Sequence, residues 1–307
     1  MLARLQQALT LGALLTALSW ALYWMHAGRP GWALAGAAVI AGGYALVLAA
    51  EFALLGGLHG DDAAPRASAA QLLQAWWGEA LTAPAVFCWR QPFRSRRWPD
   101  HLPPTARGRR GVLLVHGFVC NRGLWNAWLQ RLTALDVPVV AVNLEPVFGG
   151  IDELTHGIEV AVRQLEACTG QAPVAVCHSM GGLALRRWWA EQGDETRLHH
   201  AITIGTPHHG TWLARFAMSR NARQMQLGSP WLATLAAREP AGRWQRFTCF
   251  YGHCDNIVFP PSTATLAGAD NRHLPAVAHV HMVGHSEPWA ELLRRLQPRG
   301  PDADTPH

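Results

Sequence analysis

From Leu5 to Gly28 the chain carries no Asp, Glu, Lys or Arg, and from Gly31 to Ala50 it carries none again. Only Arg29-Pro30 separates the two runs. A helix of about 20 apolar residues crosses the hydrocarbon core of a bilayer, and each run reaches that length. In lipid a helix satisfies its own backbone hydrogen bonds; in water two such runs would have to be covered on every side. The expected arrangement is a transmembrane helical hairpin over residues 1–58, the apolar character continuing past Glu51 to Leu58, with both chain ends on one face. Gly36, Gly42 and Gly43 would let the second helix pack closely. Trp20, Tyr23, Trp24 and Trp32 gather around the break, where an interfacial aromatic belt would lie. A cleaved signal peptide is the competing reading of the first run, but the second would still anchor the chain.

Cationic flanks tend to stay on the cytoplasmic side. Arg29 is alone in the connecting loop, whereas Arg4 precedes the first run and Arg66 follows the second, with Asp61 and Asp62 beside it. Arg90, Arg94, Arg96, Arg97, Arg107, Arg109 and Arg110 come next, opposed only by Asp100. Both ends are therefore expected in the cytoplasm. The arginine cluster either meets anionic headgroups or belongs to a solvated linker. Residues 59–110 read as a juxtamembrane connector holding one short helix, Ala69 to Leu81. Pro92, Pro99, Pro103 and Pro104 end regular structure beyond it.

Beyond Arg110, short apolar strands alternate with amphipathic helices. Strands are expected at 111–115, 139–144, 173–177, 201–204, 247–251 and 277–283. Helices are expected at 124–135, 152–168, 180–192 and 287–296, with Gly170 and Gly193 as stops for the second and third. Near-continuous apolar strands interleaved with helices imply an α/β fold, a mostly parallel sheet with helices on both faces, over 111–297, followed by a tail at 298–307. In such sheets chemistry sits at the strand C-terminal ends.

The polar residues fall at those ends. The third strand runs into His178-Ser179-Met180-Gly181-Gly182 and then a helix. A serine on a sharp strand-to-helix turn presents its Oγ above the sheet beside helix N–H donors. A serine hydroxyl needs an adjacent base that is itself oriented by an acid. Asp255 and His285 each follow a later strand, so the expected catalytic set is Ser179, Asp255 and His285 as nucleophile, orienter and base. His279 and His281 fall inside the expected last strand and read as packing residues. His116 reads as a brace for its own loop.

Here the chain resembles the α/β-hydrolase superfamily, and within it bacterial lipases and esterases. Leu113-Leu114-Val115-His116-Gly117-Phe118 is similar to their His-Gly loop, and Gly205-Thr206-Pro207-His208-His209-Gly210-Thr211 to their Gly-Thr-Pro-His-x-Gly stretch. The resemblance covers about Gly111 to Leu296. It implies an α/β-hydrolase fold behind the two transmembrane helices, an oxyanion hole from the Phe118 and Met180 amides, and a segment after Gly210 covering the site. Cys177 departs from the Gly-x-Ser-x-Gly pattern, because a Cβ stands where the family has its first glycine. His178, His208 and Trp212 are expected to line the substrate site.

No nucleic-acid partner is expected, since a net charge of +5 on 307 residues is diffuse. All 26 cations are arginine, which removes P-loop and lysine Schiff-base chemistry. The six cysteines form no C-x-x-C pair and are expected reduced. No cofactor and no metal are expected. Apolar residues from Trp212 to Leu235 suggest a cap over an acyl-binding cleft. With the anchor they point to a serine hydrolase in the inner membrane of a bacterium, cleaving carboxylic esters of lipid-like character. An acyltransferase or thioesterase with the same triad, and a catalytically silent lipid-binding scaffold, are the alternatives.

Overall fold

The computed structural model describes residues 1–240 and 242–297; the expected tail, 298–307, lies outside the described residues. Six strands form one parallel sheet in the order β2-β1-β3-β4-β5-β6. They are β1 Val112–Val115, β2 Val139–Ala141, β3 Val174–His178, β4 His200–Ile204, β5 Phe247–Tyr251 and β6 Asp270–His273. Alternate residues feed two apolar layers, as the period-two geometry of a strand demands. Leu113, Val115, Ala175, Cys177, Ala201 and Cys249 face one layer; Val112, Leu114, Val174, Val176, Ile202 and Phe250 face the other.

The helices are α1 Leu2–His26, α2 Pro30–Gly42, α3 Tyr44–Gly57, α4 Ala69–Pro84, α5 Gln91–Arg94, α6 Asn126–Ala134, α7 Thr155–Thr169, α8 Met180–Gln192, α9 Arg220–Gln224, α10 Pro230–Ala236 and α11 Ser286–Leu296. α7 and α8 cover the first face with Ile158, Val162, Leu165, Leu185 and Trp189. α6 and α11 cover the second with Leu129, Leu132, Trp289 and Leu292. α7 and α8 end at left-handed Gly170 and Gly193, the stops expected of them.

The last strand is the polar Asp270–His273, not 277–283. β6 pairs with β5 alone at the sheet edge, so it is only half covered and carries no apolar signature. The apolar run is instead a loop and a 3-10 turn, His281–Gly284; its Val277, Val280, Met282 and Val283 are buried in the second layer without strand pairing.

The N-terminal region also differs from a straight hairpin. One described helix, Leu2–His26, is long and apolar enough to cross a membrane. The second run bends by 51° between α2 and α3, at the Gly42-Gly43 pair, a usual place for a helix to kink. α1 and α2 pack together at the turn, where the Trp20 indole donates to Trp32 O at 2.8 Å. α3 then leaves that pairing and docks on the globular body, burying Phe52 and Leu55 with Cys254, Phe259 and Ala278. The first turns of α1 are fastened too: Gln6 donates to Gln91 Oε1 at 2.9 Å and Gln7 to Pro92 O at 2.7 Å. The connector helix runs further than expected, through a π-helical stretch at Ala85–Arg90 into α5. Pro92 stands at the start of α5, just after the π-helical stretch.

Candidate active site

Ser179 joins β3 to α8 at φ 53° and ψ −130°. A non-glycine residue is strained there, and the surroundings hold it in place. Its N–H donates to Ile204 O at 2.9 Å, and its carbonyl accepts from Thr206 Oγ1 at 2.9 Å. α8 crosses close against β1, which is why position 181 is glycine: a Cβ there would lie 2.6 Å from the carbonyl oxygens of both Val115 and His116. Cys177 points into the core instead, fully buried among the first layer, so its Cβ is absorbed by packing and the turn is kept. Burial pushes its thiol pKa well up, the opposite of a reactive cysteine.

The loop after β1 abuts this turn. Its His116 accepts the Leu144 N–H on Nε2 at 2.9 Å, so Nδ1 carries the proton shared with Gly117 O, also at 2.9 Å. Burial holds its pKa down at about 4. It is a neutral brace for the loop that carries Phe118. Met180 is the first residue of α8, where amide N–H groups have no partner within the helix.

Asp255, buried, follows β5. Its Oδ1 accepts the N–H groups of Ile257 and Val258 at 2.9 and 2.8 Å, and its Oδ2 meets His279 Nδ1 at 2.9 Å. The pair needs Gly205, a left-handed residue at φ 57°, since a Cβ there would come within 3.0 Å of both Asp255 Oδ2 and His279 Nδ1. Burial disfavours the His279 imidazolium. The Asp255 charge and hydrogen bond, followed by the charges of Glu79 and Glu51, outweigh that and raise its pKa above the ordinary value.

Ser179 and His279 line one cavity of 450 Å³, together with Phe118, His178, Pro207, Thr211, Met225 and Val258. One wall comes from α3 (Tyr44, Val47, Leu48 and Glu51) and from α4 (Glu79 and Ala83).

Three expected site residues lie elsewhere. His285 caps α11, its Nδ1 accepting the Glu287 N–H, and it lines a separate cavity with Arg131 and Trp289. The shift follows from the misplaced last strand: the histidine in the loop after β6 is His279. His208 is buried beneath the site, bonded to Thr203 Oγ1 at 3.1 Å and to Arg186 through its carbonyl at 3.0 Å. Trp212 stacks on Phe259 and lines a surface depression with Arg215 and Leu227. His178 does line the cavity, but its Nε2 is spent on His279 O at 3.2 Å and its ring lies 4.6 Å from the His279 ring. The sequence does hold a signal for His279: an apolar strand should not place histidines at both 279 and 281.

The sequence matches the profile of the alpha/beta hydrolase family over residues 112–305. The chain belongs to the alpha/beta hydrolase family. Solved structures agree on the fold of this hydrolase. A Bacillus licheniformis lipase in its mature form is 16% identical with a TM-score of 0.54, over 65% of this chain and 96% of that one. An Aspergillus fumigatus lipase B is 21% identical with a TM-score of 0.53, over 64% of this chain and 56% of that one. No curated protein matches the hydrolase. Its α1 to α5 lie outside the family match. Among the described residues no group of three His, Cys, Asp or Glu side chains is arranged to hold a metal.

Proposed function

We propose that the chain is a membrane-anchored serine hydrolase that cleaves carboxylic esters of lipid-like acyl groups. The observation that carries this reading is the strained Ser179 turn opening on the same cavity as an imidazole already hydrogen-bonded to a buried carboxylate. His279 Nδ1–H donates to Asp255, which leaves Nε2 as the base. Nε2 takes the Ser179 hydroxyl proton as Oγ bonds to the ester carbonyl carbon. The N–H groups of Phe118 and Met180 receive the oxyanion. The proton then passes to the departing alcohol oxygen as its bond to carbon breaks. Water repeats the sequence on the acyl-enzyme and frees the acid.

The apolar wall from α3 supports an acyl substrate, and the exposed leucines of α1, among them Leu9, Leu14, Leu15, Leu18 and Leu22, support an anchor in lipid. The arginines after residue 90 lie on the body side of that anchor. By the positive-inside tendency this favours the cytoplasmic face of a bacterial inner membrane.

The test is labelling of membranes with a fluorophosphonate, comparing wild type with Ser179→Ala, His279→Ala and His285→Ala, followed by p-nitrophenyl esters of rising chain length. Labelling and turnover lost in the first two variants and kept in His285→Ala is the expected pattern. An unlabelled, folded wild type would refute the assignment.

A further inference from the structure

The loop carrying His279 is held by side chains that come from far away in the sequence. Three successive amide N–H groups donate to them: His279 to Asn256 Oδ1 at 3.2 Å, Val280 to Glu79 Oε1 at 3.1 Å and His281 to Glu79 Oε2 at 2.9 Å. Asn256 Nδ2 in turn donates to Glu51 Oε2 at 2.6 Å. Glu79 and Asn256 are buried. A carboxylate is costly in such a place unless its oxygens are met: burial raises the Glu79 pKa above its ordinary value, while the His281 N–H, the charge on His279 and the Val280 N–H oppose that rise, and each Glu79 oxygen accepts one N–H. Glu51 and Glu79 sit on α3 and α4, outside the family match. Both line the cavity that holds Ser179.

We propose that Glu79 and Glu51 are positioning residues that hold the His279 imidazole between Asp255 and Ser179, so that the N-terminal helices complete the active site as well as anchoring it. The proposal rests on the serine-hydrolase reading. Glu79 grips two peptide groups next to the imidazole. Glu51 acts through Asn256 on a third. The charged and titratable groups around His279 are Asp255 after β5, Glu79 from α4, Glu51 from α3 and His178 at the end of β3; the three carboxylates favour its protonated form, and the His178 ring, tilted against it at 4.6 Å, is held neutral by burial. An imidazolium forms as Ser179 attacks, so the two glutamates stabilise the reacting state as well as the resting geometry.

The experiment uses the full chain in detergent micelles with p-nitrophenyl octanoate. Active sites are counted by fluorophosphonate titration, so that kcat refers to folded, labelled enzyme. Glu79→Gln puts an amide NH2 against one of the two N–H groups. It is expected to lower kcat about 10- to 100-fold, as small misplacements of a reacting group do, with KM within about twofold. The acid limb of the kcat/KM profile is expected to move to lower pH. Glu51→Gln keeps an acceptor for Asn256 and is expected to move the limb the same way with a smaller loss, and Glu79→Asp to recover part of kcat. Unchanged kcat per titrated site together with an unmoved acid limb, in an active wild type, overturns this proposal alone. An inert wild type overturns the hydrolase reading and this one with it.

Discussion

Asp255→Asn is the sharpest perturbation the site allows, because the surrounding hydrogen bonds dictate how the new side chain must sit. Two backbone N–H groups, from Ile257 and Val258, point at Oδ1. The amide oxygen of the substituted side chain has to take that place. The reverse orientation would set an NH2 against two donors and leave both unpaired, at about 1–3 kcal/mol each. The amide NH2 therefore faces His279 Nδ1, where the carboxylate Oδ2 had accepted at 2.9 Å. Facing a donor, Nδ1 must become the acceptor, and the ring proton moves to Nε2, the nitrogen that the proposed reaction uses as its base. Loss of the correct tautomer costs about 10⁴-fold in kcat in a triad of this kind, or about 5.4 kcal/mol of barrier. The assay is ester turnover at pH 7 per folded enzyme, with a denaturation curve to establish that the fold is intact. Retention of more than about a tenth of wild-type kcat would show that this carboxylate does not set the tautomer of the base, and the reasoning from the two N–H groups would fail.

Two further outcomes are expected. His116, at about 4, and His200, at about 3, together with His178 and His208, well below the ordinary value, are held neutral by burial. Their unfolded forms bind protons that the fold refuses, so stability falls as pH drops from about 6.5 towards 4. His279, with its pKa raised, works the other way: its contribution is complete below about 6.5 and lost as pH rises through its folded value. His209, His253, His273 and His281 are lowered by burial as well, whereas Glu79, raised by burial, acts with His279; the lowered histidines are the larger set, so the denaturation midpoint is expected to fall on acidification, and a midpoint that rises contradicts it. Arg186→Ala removes the buried bidentate partner of the Glu239 carboxylate and leaves it only Arg243 Nη1 at 3.9 Å. A loss of about 3–5 kcal/mol in unfolding free energy is expected, with turnover per folded molecule preserved.

Local pattern was a good guide wherever a segment's environment matched its chemistry. β1, β3, β4 and β5 are buried on both faces, and their apolar runs announced them within a residue or two. Ser179 was legible because a strand, a small-residue turn and a helix are contiguous in the chain. The imidazole paired with Asp255 was not, because its identity hung on where the last strand ended. A half-exposed edge strand of Asp-Asn-Arg-His gives no apolar signal, and the apolar 277–283 run imitates one while serving the core as a loop. Glu79 and Glu51 were beyond reach for a different reason. Their partners are separated from them by roughly two hundred residues, and nothing local tells a buried carboxylate gripping a distant loop from a solvated one. The bend at Gly42-Gly43 likewise depends on what α3 meets after it.

Both legs of the apolar hairpin are riveted to the rest of the chain, the first through Gln6 and Gln7 to α5 and through Gln6 to Val119 O, the second through Phe52 and Leu55 to the globular body. No slack tether separates the portion proposed to sit in lipid from the portion proposed to react. On that reading the nucleophile works at one constant height relative to the headgroups. It would choose among lipids by how deep their ester bonds lie, and molecules whose scissile bond sits far from that plane would be spared whatever the length of their chains.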